Sequence, residues 1–257
     1  MAETILTWQS YLYAILGGIL PSLVWLWFWL RQDRESPEPK GLIAISFFAG
    51  MAVVYFVLPL QKLVAASISP IMDTVGALAE QFAIVPPTEQ ETKITLWAFI
   101  EEVAKYATVF LIAYKSKFFD EPMDAIMYLI TAALGFAAME NILYIVKDLA
   151  HGGVMEVFGN GNMRFIGATI VHIVSSAFIG IAMAFAFNTP KYIKFIMVGL
   201  GILIATLLHA YFNLSIMEND GTLKTLLVFS QFWAAIVGII VMIAVIKRFS
   251  TKTNRIY

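Results

Sequence analysis

Residues 123–146, MDAIMYLITAALGFAAMENILYIV, decide the fold, because they form an almost uninterrupted apolar run long enough to cross a bilayer. About 20 apolar residues cross the hydrocarbon core as an α-helix, which satisfies every backbone hydrogen bond within one segment. Together with similar runs elsewhere, the predicted spans are 11–30, 41–61, 94–114, 123–146, 165–187, 192–215 and 224–246. The sequence therefore predicts an all-α, polytopic membrane helix bundle with about seven transmembrane helices.

The composition agrees with a membrane protein. The 257 residues are 60% hydrophobic and only 14% charged, whereas soluble domains carry about 25% charged residues. The net charge of −1 provides no basic field that would favour nucleic acid as a partner. Cysteine is absent, which excludes disulfides, thiolate nucleophiles and Cys-based metal sites.

The organisation of the chain is that of one membrane domain, residues 1–257. The loops are short except for 62–93, where apolar residues at helical spacing predict an amphipathic segment in the membrane interface over about 68–85. Thr88 and Glu91 form a capping-box pattern that predicts the start of the third span. The segments on one side hold eleven Lys and Arg residues and those on the other hold five. This imbalance predicts an external N-terminus and a cytoplasmic C-terminus.

Nine polar or charged residues within the spans are costly to place in lipid. They are Glu101, Glu102, Lys105, Asp124, Glu140, Asn141, His172, His209 and Asn213. Counted from the outer end of each span, Glu101 and His172 lie about 10 Å deep. Glu140 lies about 9 Å deep and His209 about 9–12 Å. These four groups are therefore predicted to share one layer in the outer half of the bilayer, whereas Asp124 lies near the inner end of its span.

Each of these residues also has a purely structural interpretation. Glu101 and Lys105 are four residues apart with the acid first, the favourable orientation for a helical ion pair. Glu140 and Asn141 are able to join helices by hydrogen bonds, and His172 taken alone is typical of a core histidine. The agreement in depth favours a functional site, because scattered structural residues have no reason to share one layer.

Four ordered motifs on successive spans carry a family resemblance. They are EExxK at Glu101–Lys105, GFxxxEN at Gly135–Asn141, His172, and HxxxN at His209–Asn213. Over roughly residues 94–215, this order resembles the PrsW-type intramembrane proteases, which belong with the type II CAAX prenyl endopeptidases in one wider superfamily. This chain has Lys105 instead of the Arg that the CAAX enzymes have five residues after the first Glu, and Glu140 where they usually have His. These departures argue against prenyl-cysteine processing.

The resemblance implies a glutamate-dependent endopeptidase that cleaves a membrane-anchored protein, such as an anti-sigma factor, near the outer membrane face. The expected catalytic residues are Glu101, Glu102, Glu140, His172 and His209, with Lys105, Asn141 and Asn213 in support. Glu101 or Glu102 would activate water, His172 would relay the proton, and His209 with Asn213 would orient water and stabilise the oxyanion. No cofactor is expected, and the location implied is a prokaryotic cytoplasmic membrane.

Three alternatives stay open. A zinc enzyme of the same superfamily would use Glu101, Glu140, His172 and His209 as ligands, although no HExxH motif is present. Buried carboxylates and histidines also build the proton relays of transporters. A non-catalytic membrane scaffold is the third alternative, since fold alone does not establish catalysis. The sequence does not determine the substrate or the oligomeric state.

Overall fold

The computed structural model describes residues 6–34, 36–152, 154–217 and 222–253, with the side chains of 152, 154–166, 222 and 249–253 left undescribed. These residues form eight α-helices and one 3-10 turn: α1 (Trp8–Leu30), the turn (Arg31–Asp33), α2 (Lys40–Ala66), α3 (Ile68–Gln81), α4 (Glu89–Ile112), α5 (Pro122–Gly152), α6 (Val154–Phe185), α7 (Lys191–Met217) and α8 (Thr222–Thr253). Each predicted span corresponds to one helix and extends at most two residues past it. The all-α prediction is confirmed.

Six helices in the described part of the chain are long and apolar enough to cross a membrane, so the chain is a multi-pass integral membrane protein. They are α1 with the 3-10 turn, α2, α5, α6 from Gly167, α7 and α8. The predicted third span, α4, is helical but is not in this group. Its central residues include Glu101, Glu102 and Lys105, and these charges lower its apolarity.

The start of α4 is set by local chemistry, as the sequence predicted. The Thr88 side chain accepts a hydrogen bond from the Glu91 N–H at 3.2 Å, and the Glu91 carboxylate accepts one from the Thr88 N–H at 2.6 Å. The two bonds satisfy backbone donors that a helix N-terminus leaves unpaired. The capping box is therefore confirmed.

The amphipathic segment before α4 is shorter than predicted. Helix α3 covers Ile68–Gln81 rather than the whole of 68–85. It ends because Ala83 adopts a left-handed backbone conformation with φ of 53°, and Ile84 N–H then bonds to Ala79 C=O at 3.0 Å. Helices commonly end on such a left-handed residue, although Gly or Asn is the usual choice. Because residue 83 is Ala rather than Gly or Asn, the sequence contains no signal for the end of this helix.

Helix α5 is the centre of the bundle and packs mainly against α6, α1 and α2. Its crossing with α2 depends on two glycines. A Cβ atom on Gly135 would lie 1.9 Å from the Phe47 carbonyl oxygen, and one on Gly50 would lie 2.1 Å from the Ala132 carbonyl oxygen. Small residues allow two membrane helices to approach closely. This crossing fixes α5 just before Glu140, the acidic residue that α5 contributes to the candidate site.

Candidate active site

Helix α4 brings three charged side chains into the bundle interior. Glu101 is 6% exposed, and Glu102 and Lys105 are 0% exposed. Glu101 and Lys105 are one turn apart, whereas Glu102 is rotated about 100° from Glu101 around the helix axis. Charges at this level of burial are costly unless neighbouring groups compensate them. The three charges partly compensate one another, and further partners come from α2, α5, α6 and α7.

Glu102 is the hub of this arrangement. One carboxylate oxygen, Oε1, accepts hydrogen bonds from Lys105 Nζ at 2.7 Å and from His209 Nδ1 at 2.8 Å. The other oxygen, Oε2, accepts one from the Ser176 hydroxyl at 2.9 Å. Glu102 therefore ties α4 to α6 and α7, and both of its oxygens are occupied.

Lys105 determines which ring nitrogen of a neutral His172 bears the proton. Its ammonium Nζ lies 2.8 Å from His172 Nδ1. Because an ammonium only donates, Nδ1 must accept, so the ring proton of a neutral His172 is on Nε2. That Nε2–H donates to Glu140 Oε2 at 2.7 Å. Both ring nitrogens of His172 are engaged, and Lys105 Nζ also lies 4.6 Å from the centre of the Phe136 ring.

Glu101 differs from Glu102 in having an oxygen without a hydrogen-bond partner among the described residues. Its Oε1 accepts a hydrogen bond from Gln61 Nε2 at 2.8 Å. Its Oε2 is buried and has no hydrogen-bond partner among the described residues. Oε2 lies 3.7 Å from His209 Nε2 and 3.8 Å from Lys105 Nζ. Because His209 donates through Nδ1 to Glu102, the Nε2 of a neutral His209 ring bears a lone pair, and in that state two lone-pair atoms face each other across this gap.

The donor set suits a divalent metal ion. One ligand atom each from Glu101, His172 and His209 lie within 4.8 Å of one another. The imidazole rings of His172 and His209 are 4.9 Å apart at an interplanar angle of 86°. Two histidines and one glutamate are a common zinc ligand set, and the unpartnered Oε2 of Glu101 needs a cation or a donor. Glu140, the fourth ligand in the sequence-based zinc alternative, contacts His172 instead and is not part of this group.

Comparison with known families connects this geometry to an activity. A family model described as PrsW family intramembrane metalloprotease matches residues 38–246. The chain belongs to the PrsW family. It is therefore an intramembrane protease, as the four sequence motifs indicated.

Curated PrsW proteins resemble the chain over most of its length. The Protease PrsW of Bacillus subtilis (strain 168) is 23% identical over 228 residues, which cover 86% of this chain and 91% of that protein. The Protease PrsW of Geobacillus kaustophilus is 26% identical over 178 residues, covering 69% and 67%. That of Clostridioides difficile (strain 630) is 26% identical over 203 residues, covering 78% and 77%. No solved structure matches the chain.

Within this PrsW site, six predicted residues lie in one connected network, the active-site cluster: Glu101, Glu102, Lys105, Glu140, His172 and His209. Two other predicted residues lie outside it. Asn141 is buried and donates to the Thr169 hydroxyl at 3.4 Å, which joins α5 to α6. Asn213 is half-buried one turn after His209, and no hydrogen bond among the described residues links it to the cluster. Catalytic roles for all eight stay predictions.

Two residues of the PrsW site were not predicted. The Gln61 side chain donates to Glu101. The backbone carbonyl of Gln61 accepts a hydrogen bond from the Trp97 indole N–H at 3.0 Å. Its position at the end of a predicted span gave no functional signal. Ser176 donates to Glu102, and the available signal was its position one turn after His172 on the same helix face.

Proposed function

We propose that this PrsW-family protease is metal-dependent and that Glu101, His172 and His209 hold its catalytic ion. The observation that carries this proposal is the buried Oε2 of Glu101, which has no hydrogen-bond partner among the described residues and faces His209 Nε2 at 3.7 Å. A buried carboxylate oxygen without a donor is costly, and a divalent cation would satisfy both atoms. The description of the family as metalloproteases supports the same choice.

The charge balance of the active-site cluster also supports a divalent ion. Glu101, Glu102 and Glu140 contribute three carboxylates, and Lys105 contributes one ammonium. With neutral histidines, the cluster carries a net charge of −2 in a poorly solvated interior. A bound divalent cation would bring that charge to zero, which removes much of the cost of burying it.

The residues around the ion would have distinct tasks. When bound, the ion would polarise the scissile carbonyl and lower the pKa of water. Glu102 holds His209 by Nδ1 so that Nε2 points to Glu101, the carboxylate–histidine arrangement that orients metal ligands. Lys105 compensates the charge of Glu102, which is 0% exposed. His172 would have to open its contact with Lys105 or Glu140 in order to become a ligand.

Glu140 is suited to move the proton. Hydrolysis of a peptide bond takes one proton from water and delivers one to the leaving amine. The Glu140 side chain is 24% exposed, compared with 8% for Glu101 and 0% for Glu102. It therefore has the best access to water and substrate, and its bond to His172 Nε2 holds it in place. We assign to Glu140 the transfer of the proton to the leaving amine.

The proposed substrate is a membrane-anchored protein cut near the outer membrane face. Helix α4 would be the seventh crossing, with its charges satisfied inside the bundle. With an external N-terminus, the active-site cluster would lie in the outer half of a bacterial cytoplasmic membrane. An anti-sigma factor with one transmembrane helix would present a peptide bond just below the external surface, at the level of the active-site cluster.

The proposal is tested by proteolysis with defined metal content. The full chain is reconstituted with a membrane-anchored fusion substrate, stripped with a chelator and then supplied with zinc. We expect cleavage to disappear and return, and Glu101→Gln to abolish it while Glu89→Gln, on an exposed position of α4, has no effect. Full cleavage by the stripped protein would contradict metal dependence and return the mechanism to glutamate alone.

A further inference from the structure

A second acidic cluster lies at the other end of helix α5. It consists of Asp33 in the 3-10 turn after α1, Glu38 just before α2, and Asp124 in the first turn of α5. One carboxylate oxygen from each residue lies within 4.8 Å of the other two. Asp124 precedes Glu140 by 16 residues on the same helix, so the two clusters are about 24 Å apart. The second acidic cluster is therefore separate from the active-site cluster.

Each carboxylate in the second acidic cluster is held through one oxygen. Asp124 Oδ2 accepts hydrogen bonds from the backbone N–H groups of Asp120 at 2.8 Å and Glu121 at 2.7 Å. Glu38 Oε2 accepts one from the Tyr128 hydroxyl. Asp33 Oδ1 lies 3.6 Å from Lys247 Nζ of α8. These contacts orient the three groups, as the hydrogen-bond partners of metal ligands do.

The remaining oxygen of Asp33 is the observation that points to a ligand. Asp33 is only 4% exposed, and its Oδ2 is buried without a hydrogen-bond partner among the described residues. An oxygen in this state normally has a donor, a bound water or an ion. One oxygen of the same carboxylate lies within 4.8 Å of an oxygen of Glu38 and of Asp124, so a cation bound by the three carboxylates would also compensate Asp33.

Charge and spacing define the ligand. Three carboxylates and the Lys247 ammonium give a net charge of −2, and all candidate donors are oxygens, which Ca²⁺ and Mg²⁺ prefer. Oxygens on opposite sides of an ion are separated by twice the metal–oxygen distance, about 4.8 Å for Ca²⁺ and about 4.2 Å for Mg²⁺. Oxygens that all lie within 4.8 Å of one another are close enough to bind one such ion, and Ca²⁺ accepts irregular oxygen geometry more readily than Mg²⁺.

We propose that Asp33, Glu38 and Asp124 form a structural binding site for a divalent cation of the Ca²⁺ type. The ion joins the end of α1, the start of α2 and the start of α5, and Lys247 adds α8 to the same junction. The site takes no part in peptide hydrolysis. It stabilises the end of the bundle that is remote from the active-site cluster.

A proton shared between Glu38 and Asp124 is the competing arrangement, because an oxygen of each lies within 4.8 Å of the other. The two arrangements differ in one measurable respect. A shared proton neutralises the pair without any metal, whereas a cation site makes stability depend on Ca²⁺ or Mg²⁺ concentration.

The test uses the full chain, purified in detergent and freed of divalent ions by chelation. Thermal unfolding is followed as CaCl₂, MgCl₂ or NaCl is added, with NaCl matched in ionic strength. We expect a saturable rise of the unfolding temperature with CaCl₂, a smaller rise with MgCl₂ and none with NaCl. Tb³⁺ replaces Ca²⁺ as a second probe, because the Tyr128 ring next to Glu38 is placed to sensitise its emission.

Three variants remove one negative charge each but keep a side-chain oxygen for the contacts described above: Asp33→Asn, Glu38→Gln and Asp124→Asn. Each is expected to weaken Ca²⁺ and Tb³⁺ binding at least about tenfold. The control is Asp73→Asn, an exposed carboxylate on α3, which should bind as the wild type does. The proposal is overturned if the wild-type chain shows no saturable response to Ca²⁺, Mg²⁺ or Tb³⁺. It is also overturned if NaCl is as effective as CaCl₂, or if all three variants bind Ca²⁺ and Tb³⁺ as the wild type does.

Discussion

Glu102 Oε1 and His209 Nδ1 are 2.8 Å apart although 107 residues separate them in the chain. This bond sets the tautomer of His209 and turns its Nε2 towards Glu101 Oε2. The two adjacent glutamates therefore have different roles: Glu102 builds the site and Glu101 presents an oxygen to it. The difference leads to predictions that separate stability from activity.

Glu102→Gln should destabilise the fold as well as abolish activity. The substitution leaves Lys105, which is 0% exposed, without its closest counter-charge. Removing one partner of a buried ion pair typically costs about 3–5 kcal/mol. Thermal unfolding in detergent should show a clear loss against wild type, and an unchanged unfolding temperature would refute the structural role assigned to Glu102.

Glu101→Gln should abolish cleavage while leaving the fold intact. The new side chain keeps an oxygen for the Gln61 hydrogen bond, and the Oε2 atom that it replaces has no hydrogen-bond partner to lose. We expect at least a hundredfold loss of cleavage with an unfolding temperature equal to or above that of wild type. Proteolysis assays and thermal unfolding on the same preparations measure both effects, and substantial residual cleavage would contradict the prediction.

Removing both charges of the Glu102–Lys105 pair should cost less stability than removing either charge alone. Lys105→Met alone leaves Glu102 charged and buried, whereas Glu102→Gln with Lys105→Met removes both charges. The double variant should be more stable than either single variant, because buried ion pairs are often replaceable by neutral groups. A double-mutant cycle measures this coupling, and simple additivity of the two losses would contradict it.

Glu140→Gln should slow cleavage without removing the metal. The amide oxygen is able to keep the hydrogen bond from His172 Nε2, but an amide cannot take up a proton and deliver it to the leaving amine. Loss of general acid catalysis typically costs about 10²–10⁴-fold in rate. Metal analysis after purification should show wild-type content. A metal-free Glu140→Gln protein would instead identify Glu140 as a ligand.

Gly135→Ala should disturb the crossing of α5 with α2. Its Cβ would meet the Phe47 carbonyl oxygen at 1.9 Å, and overpacking of this kind typically costs about 1–3 kcal/mol. Gly199→Ala is the matched control, since nothing lies within 4 Å of its Cβ position, and it should be neutral or slightly stabilising. Equal unfolding temperatures of the two variants would show that the crossing is not tight.

The sequence predicted the parts of this structure that depend on composition and local spacing. Apolar runs located the helices, and the Thr88–Glu91 capping box located the start of α4. Helix α3 ends at Gln81, within the predicted amphipathic segment of about 68–85, because Ala83 adopts a left-handed conformation without a Gly or Asn signal. Helix α4 was predicted as a span but is not among the six candidate spans, because it carries Glu101, Glu102 and Lys105.

The depths counted from the sequence predicted one layer for Glu101, Glu140, His172 and His209. They do not determine how each helix is rotated about its axis relative to its neighbours. That rotation decides which of two adjacent glutamates has both oxygens occupied. It also brings in Gln61 from 40 residues away in the sequence. For the same reason, the meeting of Asp33, Glu38 and Asp124 was visible only after folding.

The central claim is that Glu101 is a metal ligand and Glu102 organises the site. It is tested most directly by measuring the zinc content of wild-type, Glu101→Gln and Glu89→Gln proteins after identical zinc loading and desalting. The account predicts that the wild type and Glu89→Gln each retain one more equivalent of zinc than Glu101→Gln, and that only the first two cleave substrate. Equal zinc content in all three, or rapid cleavage by zinc-free wild type, would contradict it.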